Sequence, residues 1–381
     1  MGDFAVTLRR WFHRHPELGN AEFKTSAKVA EVLESLGLEV FRGLGGTGVA
    51  GVLKGGLPGP VRCFRADMDA LPISEVDSGQ EYRSCHAGVM HACGHDVHMS
   101  VGLGFARELS ARREKFSGAA VFLFQPNEEG SPGSGPSGAE LVVAEGFLER
   151  FGIDSIYAFH CLPGLGAGKV GFNPGAMWSS SARFDVEVLG SFSHGAYPHR
   201  GHDALAGICS MVQQIYSVTA RGTDPRDAYV VTVSEMAAGN QYNVVAGSGR
   251  FSGIIRAESR AAIERIFDLA RRSCEGIAAG YGLEVRCHLY LGADSVVNDA
   301  GLTLAARSAL DACYPGMGVD VRMQMASEDF SCFSVKVPGC YMMLGVGEDA
   351  SELHSDIFDV DEGCLDAGIS AMLAIWGLCG D

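Results

Sequence analysis

The strongest constraint on the fold is an alternation of strand and helix patterns over the first 160 residues. The strand patterns are short apolar runs, and the segments between them carry apolar residues at helical spacing. This alternation is typical of an α/β domain with a mostly parallel sheet flanked by helices. Helices are predicted at residues 4–15, 21–36, 138–149 and from about 95, and strands at 39–41, 49–53, 61–65, 119–125 and 156–159. In such sheets, reactive side chains collect beyond the carboxyl ends of the strands.

A different pattern follows Gly175 and predicts a second domain inserted into the first. Its elements run strand, helix, strand, strand, helix, strand, which is the order of an α+β, ferredoxin-like sandwich. They are predicted at residues 182–190, 204–218, 228–237, 243–257, 259–279 and 283–291. We therefore predict a discontinuous domain at 1–175 and 293–381, and an inserted domain at 176–292. The first domain resumes with a helix from Asn298, a strand near 340–344 and a final helix at 361–378.

Composition excludes several classes of protein. A chain of 381 residues is too long for one ordinary core, which agrees with two domains. The net charge is -16 and no block of Lys and Arg is present, which argues against nucleic acid and anionic membrane surfaces as partners. No apolar run is long enough to cross a membrane, and residues 1–4 do not begin a signal peptide. The 12 cysteines are scattered singly, which predicts reduced thiols and a cytoplasmic protein.

The first candidate site surrounds Cys93 and His95, just where a helix is expected to begin. The helix is indicated by apolar residues at a four-residue step, namely Val97, Val101, Phe105 and Leu109. Residues two apart do not share a helical face, but at an irregular entrance both side chains can turn toward one ion. A helix N-terminus also lowers the pKa of a thiol, and the thiolate is the form that binds metal. The alternative is a buried thiol beside a capping histidine.

Further candidates stand at the predicted strand ends. Asp67 and Asp69 follow one strand and could support metal ligands from behind, although they could equally be turn-forming aspartates. Glu128 and Glu129 follow the next strand. Adjacent side chains point in different directions, so one carboxylate could bind metal while its neighbour faces a water; the alternative is a surface loop. His160 follows a third strand, where a single histidine is usually structural.

Seven ordered motifs give the chain a resemblance that covers nearly its whole length. They are HRHPEL at 13–18, RADMDALP at 65–72, HACGHD at 91–96, QPNEEG at 125–130, SHGAYPH at 193–199, SEDF at 327–330 and LHS at 353–355. In these motifs the chain resembles the dinuclear metallohydrolases that include aminoacylases and glutamate-releasing carboxypeptidases. It is most similar to the amidohydrolase branch that contains hippurate hydrolases and indole-acetyl-amino-acid hydrolases.

The resemblance implies a role for particular residues. It implies Cys93 as a thiolate that bridges two divalent metal ions, with His95, Glu129, His160 and His354 as the other ligands. Manganese or zinc would suit these ligands, with cobalt and nickel as alternatives. Glu128 matches a general base, which takes a proton from a water activated by two cations and passes it to the leaving amine.

The resemblance also implies how the inserted domain contributes. It makes that domain a lid that forms a homodimer, in which His194 reaches the active site of the partner subunit and helps hold the oxyanion. Asn243 and Arg256 match residues that bind the polar end of the substrate. The implied substrate is an N-acyl-amino acid, hippurate-like or another conjugate, cleaved to a carboxylic acid and a free amino acid.

Three departures from the family pattern affect the substrate rather than the metals. Ser191, Phe192 and Ser193 precede His194 where the family has two glycines, and Asp356 replaces an expected proline. The Gly-, Pro- and Ser-rich segment 131–137 is longer than usual. Alternative functions are a dipeptidase or carboxypeptidase, a deaminase-like hydrolase of the same fold, or a non-catalytic binding protein. The remaining histidines considered are expected to be structural, namely His91, His98, His199 and His202.

Overall fold

The computed structural model describes residues 2–130 and 135–379. The chain divides into two compact units. Unit 1 comprises Met1–Met177, Val297–Arg322 and Asp329–Asp381, and unit 2 comprises Trp178–Val296 and Met323–Glu328. Residues 323–328, expected in the first domain, belong to unit 2 because Ser179 donates backbone hydrogen bonds to Gln324 and Ala326. Most of the predicted loop at 131–137 lies outside the described residues.

The helices and strands are numbered in chain order. The first part of the chain contains α1 (Gly2–Arg14), α2 (Phe23–Ser35), β1 (Glu39–Leu44), β2 (Gly48–Lys54), β3 (Leu57–Asp67), α3 (His95–Ala111), β4 (Ser117–Gln125), α4 (Gly138–Ala144), α5 (Phe147–Phe151), β5 (Ser155–Leu162), β6 (Val170–Phe172) and β7 (Ala176–Trp178). Next come β8 (Ser180–Leu189), β9 (Ser193–His194), α6 (Ala204–Gly222), β10 (Tyr229–Ala238), β11 (Val244–Val245), β12 (Ser248–Ala257), α7 (Arg260–Tyr281), β13 (Glu284–Leu291) and β14 (Val296–Val297). The chain ends with α8 (Ala300–Cys313), β15 (Gly318–Asp320), α9 (Ser331–Ser334), β16 (Gly339–Gly345) and α10 (Gly363–Ile375).

The sheet of unit 1 confirms the predicted α/β class. Its strand order is β1-β2-β4-β3-β5-β16-β6-β15. The four central strands β4, β3, β5 and β16 are parallel, whereas β1, β2 and β6 introduce antiparallel pairs. Because parallel strands end at the same edge, the carboxyl ends of β3, β4 and β5 meet there, and Asp67 pairs directly with Gln125.

The core of unit 1 forms where helices cover this sheet. The predicted apolar step of α3 is buried, and Phe105 contacts Phe122 of β4 and Trp376 after α10 with ring centroids 5.3 and 5.0 Å apart. Aromatic contacts of this kind contribute beyond the area that they bury. Helix α3 is therefore packed between the sheet and α10, and this packing fixes the position of its N-terminus.

Unit 2 has the predicted ferredoxin-like order β8-α6-β10-β12-α7-β13. Its four-stranded antiparallel sheet has the order β10-β12-β8-β13. Alternate residues of β8, such as Phe184 and Val186, pack with Ile208 of α6 and Ile266 of α7 in a core of their own. The alternation along β8 therefore reflects one buried face and one more polar face.

Several predicted elements differ in detail. The helix at 138–149 is two helices, because Gly146 has a φ of 76° and ends the first. The strand at 243–257 is also two, because Val245 pairs with Ser193 whereas Ser248 begins a new pairing with β8. His160 lies inside β5 rather than after it, because β16 extends the pairing to Leu162.

The expectation of reduced thiols is wrong for one pair, since Cys313 and Cys379 form a disulfide. Their Cα atoms are 5.6 Å apart, a separation that a disulfide can span, but 66 residues separate them in sequence. The spacing of single cysteines could not reveal this pairing. None of the described helices has both the length and the apolar character needed to cross a membrane.

Candidate metal centre

The turn between Cys93 and His95 is the irregular helix entrance that the sequence predicts. Gly94 is the N-cap of α3 and has a φ of 84°, a conformation that glycine adopts without strain. A Cβ atom at Gly94 would lie 2.6 Å from the Sγ atom of Cys161, so a larger residue could not fit without displacing β5. This close approach directs the side chains of Cys93 and His95 into one buried region at the carboxyl ends of the strands.

The thiol of Cys93 lies at the centre of a group of nitrogen and oxygen donors. Its Sγ atom is 3.4 Å from Nε2 of His160 and 3.3 Å from Nε2 of His354. The second imidazole also lies 3.3 Å from Oε1 of Glu129. His354 has a left-handed φ of 62°, and its backbone N–H donates to the carbonyl of Ala92, which fixes it beside the turn.

His95 has one ring nitrogen engaged and the other directed at the two glutamates. Its Nδ1 donates to the backbone carbonyl of Asp69 at 2.8 Å, which leaves Nε2 as the ring atom that can bind a cation once it has lost its proton. That Nε2 atom is buried without a hydrogen-bond partner, 3.9 Å from Oε2 of Glu128 and 4.0 Å from Oε1 of Glu129. An outer hydrogen bond that fixes the tautomer is characteristic of metal-binding histidines.

The donors form two groups that share one atom. Cys93, His95 and His160 have donor atoms within 4.8 Å of one another, and so do Cys93, Glu129 and His354. A thiolate common to two sets of donors suits a pair of divalent ions with one bridging anion. Oε1 of Glu129 is buried without a hydrogen-bond partner, like Nε2 of His95, as expected for atoms that a cation would engage. The residues present therefore fit two divalent metal ions.

The charges of the site also favour a cation. Burial, with the nearby carboxylates of Glu129 and Glu128, raises the pKa of the Cys93 thiol well above its usual range. The predicted lowering by the helix N-terminus is therefore wrong for the metal-free protein, because desolvation and two acids outweigh the helix dipole. Burial lowers the pKa of His95, but the carboxylates of Asp67 and Asp69 outweigh it and raise the pKa to about 10. A bound cation would reverse the effect on the thiol, since a coordinating thiol loses its proton.

Asp69 lies behind the donor atoms and is hydrogen-bonded to two segments of the site. Its carboxylate Oδ2 accepts a hydrogen bond from the backbone N–H of Glu129 at 3.0 Å, while its carbonyl accepts from His95. Asp69 is only 1% exposed, so this contact is shielded from water. Asp69 thus joins the end of β3 to both the helix entrance and the glutamate pair.

Asp67 belongs to a buried network that borders the site, since its Oδ1 lies 3.8 Å from Nδ1 of His95. It accepts from Nη1 of Arg65 at 2.6 Å and from Nδ1 of His98 at 2.6 Å. The backbone N–H of Cys161 donates to Nε2 of His98 at 3.0 Å, so His98 uses both ring nitrogens structurally. Arg65 continues the network to Gln125 at 2.8 Å and to Asp329 at 2.8 Å.

The other uncertain histidines are not brought into the donor groups. Burial lowers the pKa of His91 to about 3, which keeps its ring neutral inside the core. His199 and His202 lie in unit 2 and are exposed.

The three predicted residues of the inserted domain all lie in unit 2. His194 is exposed in β9, and its Nδ1 accepts from the N–H of Ala196 at 3.0 Å, which leaves the proton on Nε2. Asn243 is exposed beside β11, and its carbonyl accepts from Gly195 at 2.7 Å. Arg256 lies within β12 rather than after it and is half-buried.

Two positioning features were missed in the sequence. Asp329, the residue at which unit 1 resumes, accepts from Arg65, from Gln125 and from the N–H of Ala139 at the start of α4. Glu22 is fully buried and accepts from the N–H of Asn127, next to Glu128. Only the SEDF motif signals the first, and no sequence pattern distinguishes the second from an ordinary helix start.

The site consists of two groups of thiol, imidazole and carboxylate donors that share one thiol, at the carboxyl edge of an α/β sheet. This arrangement is characteristic of dinuclear metallohydrolases. The model of the Peptidase family M20/M25/M40 matches residues 63–377. The chain therefore belongs to peptidase family M20/M25/M40, and it is a hydrolase that acts on amide C–N bonds. The predicted resemblance is confirmed, and the alternative of a non-catalytic binding protein is set aside.

Curated relatives match nearly the whole chain. The N-acetyldiaminopimelate deacetylase of Lactobacillus acidophilus is 32% identical over 373 residues, which cover 96% of this chain and 95% of the relative. The N-acetyl-L-cysteine deacetylase of Bacillus subtilis is 30% identical, with 94% and 83% covered. Among solved structures, a dinuclear metal-binding peptidase of the M20 family from Bacillus subtilis superposes with a TM-score of 0.84 at 31% identity and covers 98% of this chain and 97% of its own.

Proposed function

We propose that the protein hydrolyses N-acyl-amino acids to a carboxylic acid and a free amino acid. The observation that carries this proposal is the pair of donor groups sharing Cys93, with the carboxylate of Glu128 3.9 Å from His95 beside them. The names of the two deacetylases support an acetylated amino acid as the simplest substrate. Hippurate-like and other aryl conjugates extend the same chemistry to a larger acyl group.

In this proposal the metal ligands are Cys93, His95, Glu129, His160 and His354. The mixture of thiolate, imidazole and carboxylate suits manganese or zinc, and cobalt or nickel could occupy the same donors. When bound, the two ions supply Lewis-acid polarisation of the amide carbonyl and lower the pKa of a water. We also propose a cytoplasmic location, because ten of the 12 cysteines are free.

Glu128 is proposed as the group that moves the proton. Its side chain is 9% exposed and faces the same space as Nε2 of His95. A carboxylate in that position can accept a proton from the attacking water and then donate it to the departing amine, as general base and general acid in turn. Oε1 of Glu129, adjacent in sequence, lies 4.0 Å from the same Nε2 atom but also 3.3 Å from Nε2 of His354, so we propose that Glu129 binds metal while Glu128 transfers the proton.

A substrate panel tests the proposed function. The protein, purified and supplied with each metal in turn, is assayed on N-acetyl-amino acids, N-benzoyl-amino acids, dipeptides and ureido acids. We expect release of free amino acid from the N-acyl substrates at a kcat/KM well above that for dipeptides. A preference for dipeptides would instead support the carboxypeptidase or dipeptidase alternative, and release of ammonia alone would support the deaminase-like alternative.

We propose that His194 acts across a homodimer formed through unit 2. Its Nε2 carries the proton and its ring is exposed, so it has a donor available for the oxyanion of a partner's site. Inactive Glu128→Gln and inactive His194→Ala subunits should then restore activity when mixed, because one site of each mixed dimer keeps both groups. The measurement is activity of co-refolded mixtures. If mixtures that contain proven heterodimers recover no activity, His194 does not act in the partner's site.

We propose that Arg256 binds the carboxylate of the amino-acid half of the substrate. Its guanidinium is half-buried, Nη1 donates to the backbone carbonyl of Ile255 at 3.4 Å, and no carboxylate among the described residues pairs with it. Burial lowers its pKa, but an arginine remains charged, and its planar fork matches a carboxylate in two parallel hydrogen bonds. Asn243 is proposed to assist at the same polar end.

Arg256→Met should lose a charged hydrogen bond worth about 1.5–3 kcal/mol, or roughly 10- to 150-fold in kcat/KM. The loss should affect N-acyl-amino acids but not the same compounds with a neutral C-terminal amide, which should be poor substrates of both proteins. The test compares variant and parent on matched acid and amide pairs. An equal fractional loss on both would show that Arg256 does not bind the carboxylate.

A further inference from the structure

Glu22 occupies the N-cap position of α2, but its side chain does not cap the helix. Its side chain makes no hydrogen bond to the first turn. Glu17 takes that role instead, because its Oε2 accepts from the backbone N–H groups of Lys24 and Thr25 at 2.8 and 2.9 Å. Glu17 also accepts from the hydroxyl of Thr25 at 3.0 Å. The capping of α2 is therefore satisfied by a second residue, and the carboxylate of Glu22 is engaged elsewhere.

The carboxylate of Glu22 is fully buried and uses each of its oxygens once. Oε1 accepts from the backbone N–H of Asn127 at 2.8 Å, and Oε2 accepts from the hydroxyl of Thr47 at 2.6 Å. Burial of a carboxylate is costly unless its hydrogen bonds are satisfied. A helix cap at the surface would not require that cost, so this burial needs another explanation.

The explanation lies in the conformation of Asn127. This residue has a φ of 48°, in the left-handed region that residues other than glycine adopt uncommonly, although asparagine does so more often than most. Its carbonyl accepts from Gly138 at 3.0 Å, and its side chain packs where a Cβ atom on Gly19 would lie 2.4 Å from Oδ1. Asn127 is thus hydrogen-bonded through both its N–H and its carbonyl, and its side chain packs closely against Gly19. Residues in such conformations persist only where the surroundings hold them.

The residue held in place by this arrangement is Glu128. The amide before it, that of Asn127, is bound by Glu22, and the amide after it, that of Glu129, is bound by the carboxylate of Asp69 at 3.0 Å. Two buried carboxylates from distant segments therefore fix the backbone on both sides of Glu128. We infer that Glu22, oriented by Thr47, is a positioning residue that holds the left-handed turn at Asn127 and so aims Glu128 at the reacting water.

This inference rests on the proposed role of Glu128, and it predicts that kcat and KM respond differently to the loss of Glu22. Glu22 touches neither metal ligand nor substrate, so its loss should lower kcat without changing KM or metal content. A displacement of about 1 Å in a reacting group can cost on the order of 100-fold in rate. Glu22→Leu, which removes both acceptors, is therefore expected to lower kcat by roughly 10- to 100-fold. Glu22→Gln keeps an acceptor for Asn127 and should retain most of the activity.

The experiment compares Glu22→Leu, Glu22→Gln and Thr47→Val with a matched control, Glu17→Ala. The control disturbs the same helix start but leaves the contact to Asn127 intact. For each protein, kcat and KM on the best N-acyl substrate, metal content and backbone hydrogen exchange of the peptide that contains Asn127 and Glu128 are measured. Exchange is recorded on the metal-free protein, so it does not depend on activity.

The expected result is faster exchange at Asn127 and lower kcat in Glu22→Leu, with smaller effects in Thr47→Val and neither effect in Glu17→Ala. If Glu22→Leu does not fold, the Thr47→Val and Glu22→Gln pair still carries the comparison. Unchanged exchange and kcat in Thr47→Val, or in a folded Glu22→Leu, or equal losses in Glu17→Ala, would each overturn the inference. A parent protein inactive on every N-acyl substrate would contradict the proposed function, while the exchange result would still decide whether Glu22 holds the turn.

Discussion

Replacing Glu128 by Gln is expected to lower kcat by about 10²–10⁴-fold while both metal ions stay bound. Glutamine keeps the shape of the side chain but cannot accept and return a proton. The donors of the two groups that share Cys93 are untouched by this change, since Glu128 faces His95 at 3.9 Å whereas Glu129 lies 3.3 Å from His354. The measurement is steady-state kinetics together with elemental analysis of the same preparation.

Glu129→Gln is the matched comparison, because the two residues are adjacent and chemically identical. Its buried Oε1, without a hydrogen-bond partner, is the atom that a cation would engage, so this variant should lose metal as well as activity. The two variants therefore separate proton transfer from metal binding. If elemental analysis finds that Glu128→Gln is the metal-depleted protein, the assignment of the two glutamates is reversed.

Arg65→Met is expected to destabilise unit 1 by about 3–5 kcal/mol, the cost of leaving buried charges without their partner. The guanidinium is fully buried and contacts the carboxylates of Asp67 and Asp329 at 2.6 and 2.8 Å. Burial would raise the pKa of Asp67, but His95, His98 and Arg65 outweigh it and hold that pKa well below its usual range. Removal of the arginine takes away one of these stabilising charges and a donor to Gln125.

Urea unfolding followed by tryptophan fluorescence measures this loss, since Trp11 and Trp376 lie in unit 1. Arg42→Met is the control. Arg42 pairs with Glu34 at 2.6 Å, but both side chains are 51% exposed, so the change should cost little. A midpoint for Arg65→Met that matches that of Arg42→Met would show that the buried network does not contribute to stability.

Hydrophobic periodicity was sufficient to predict the α/β fold, and the predicted strand ends indicated where the site would lie. Alternating patterns were sufficient for the α/β sheet, because buried strands and amphipathic helices leave different spacings in the sequence. Parallel strands deliver their ends to one edge, which predicts that Glu129 and His160 lie at the same edge of the sheet. That these residues form one ligand set with Cys93 was implied only by the resemblance to the family. The roles of these residues remain predictions, although their proximity is now described.

Features that depend on tertiary contacts were not accessible to the same reasoning. The pKa of Cys93 is set by burial and by acids from another strand end, neither of which the local helix dipole can report. The disulfide between Cys313 and Cys379 depends on where α8 ends relative to the chain's last turn. Glu22 has the sequence position of a helix cap, and only the structure shows its carboxylate bound to Asn127.

The most direct test of the account is a metal titration of the chelator-treated protein with an N-acyl-amino acid as substrate. Activity and bound metal are measured together as manganese or zinc is added. The account predicts that activity is lost with the metals and returns fully only as the second ion per chain binds, with Cys93→Ala unable to retain the pair. Full activity without metal, or with a single ion in both the parent and Cys93→Ala, would contradict a dinuclear site built on a shared thiolate.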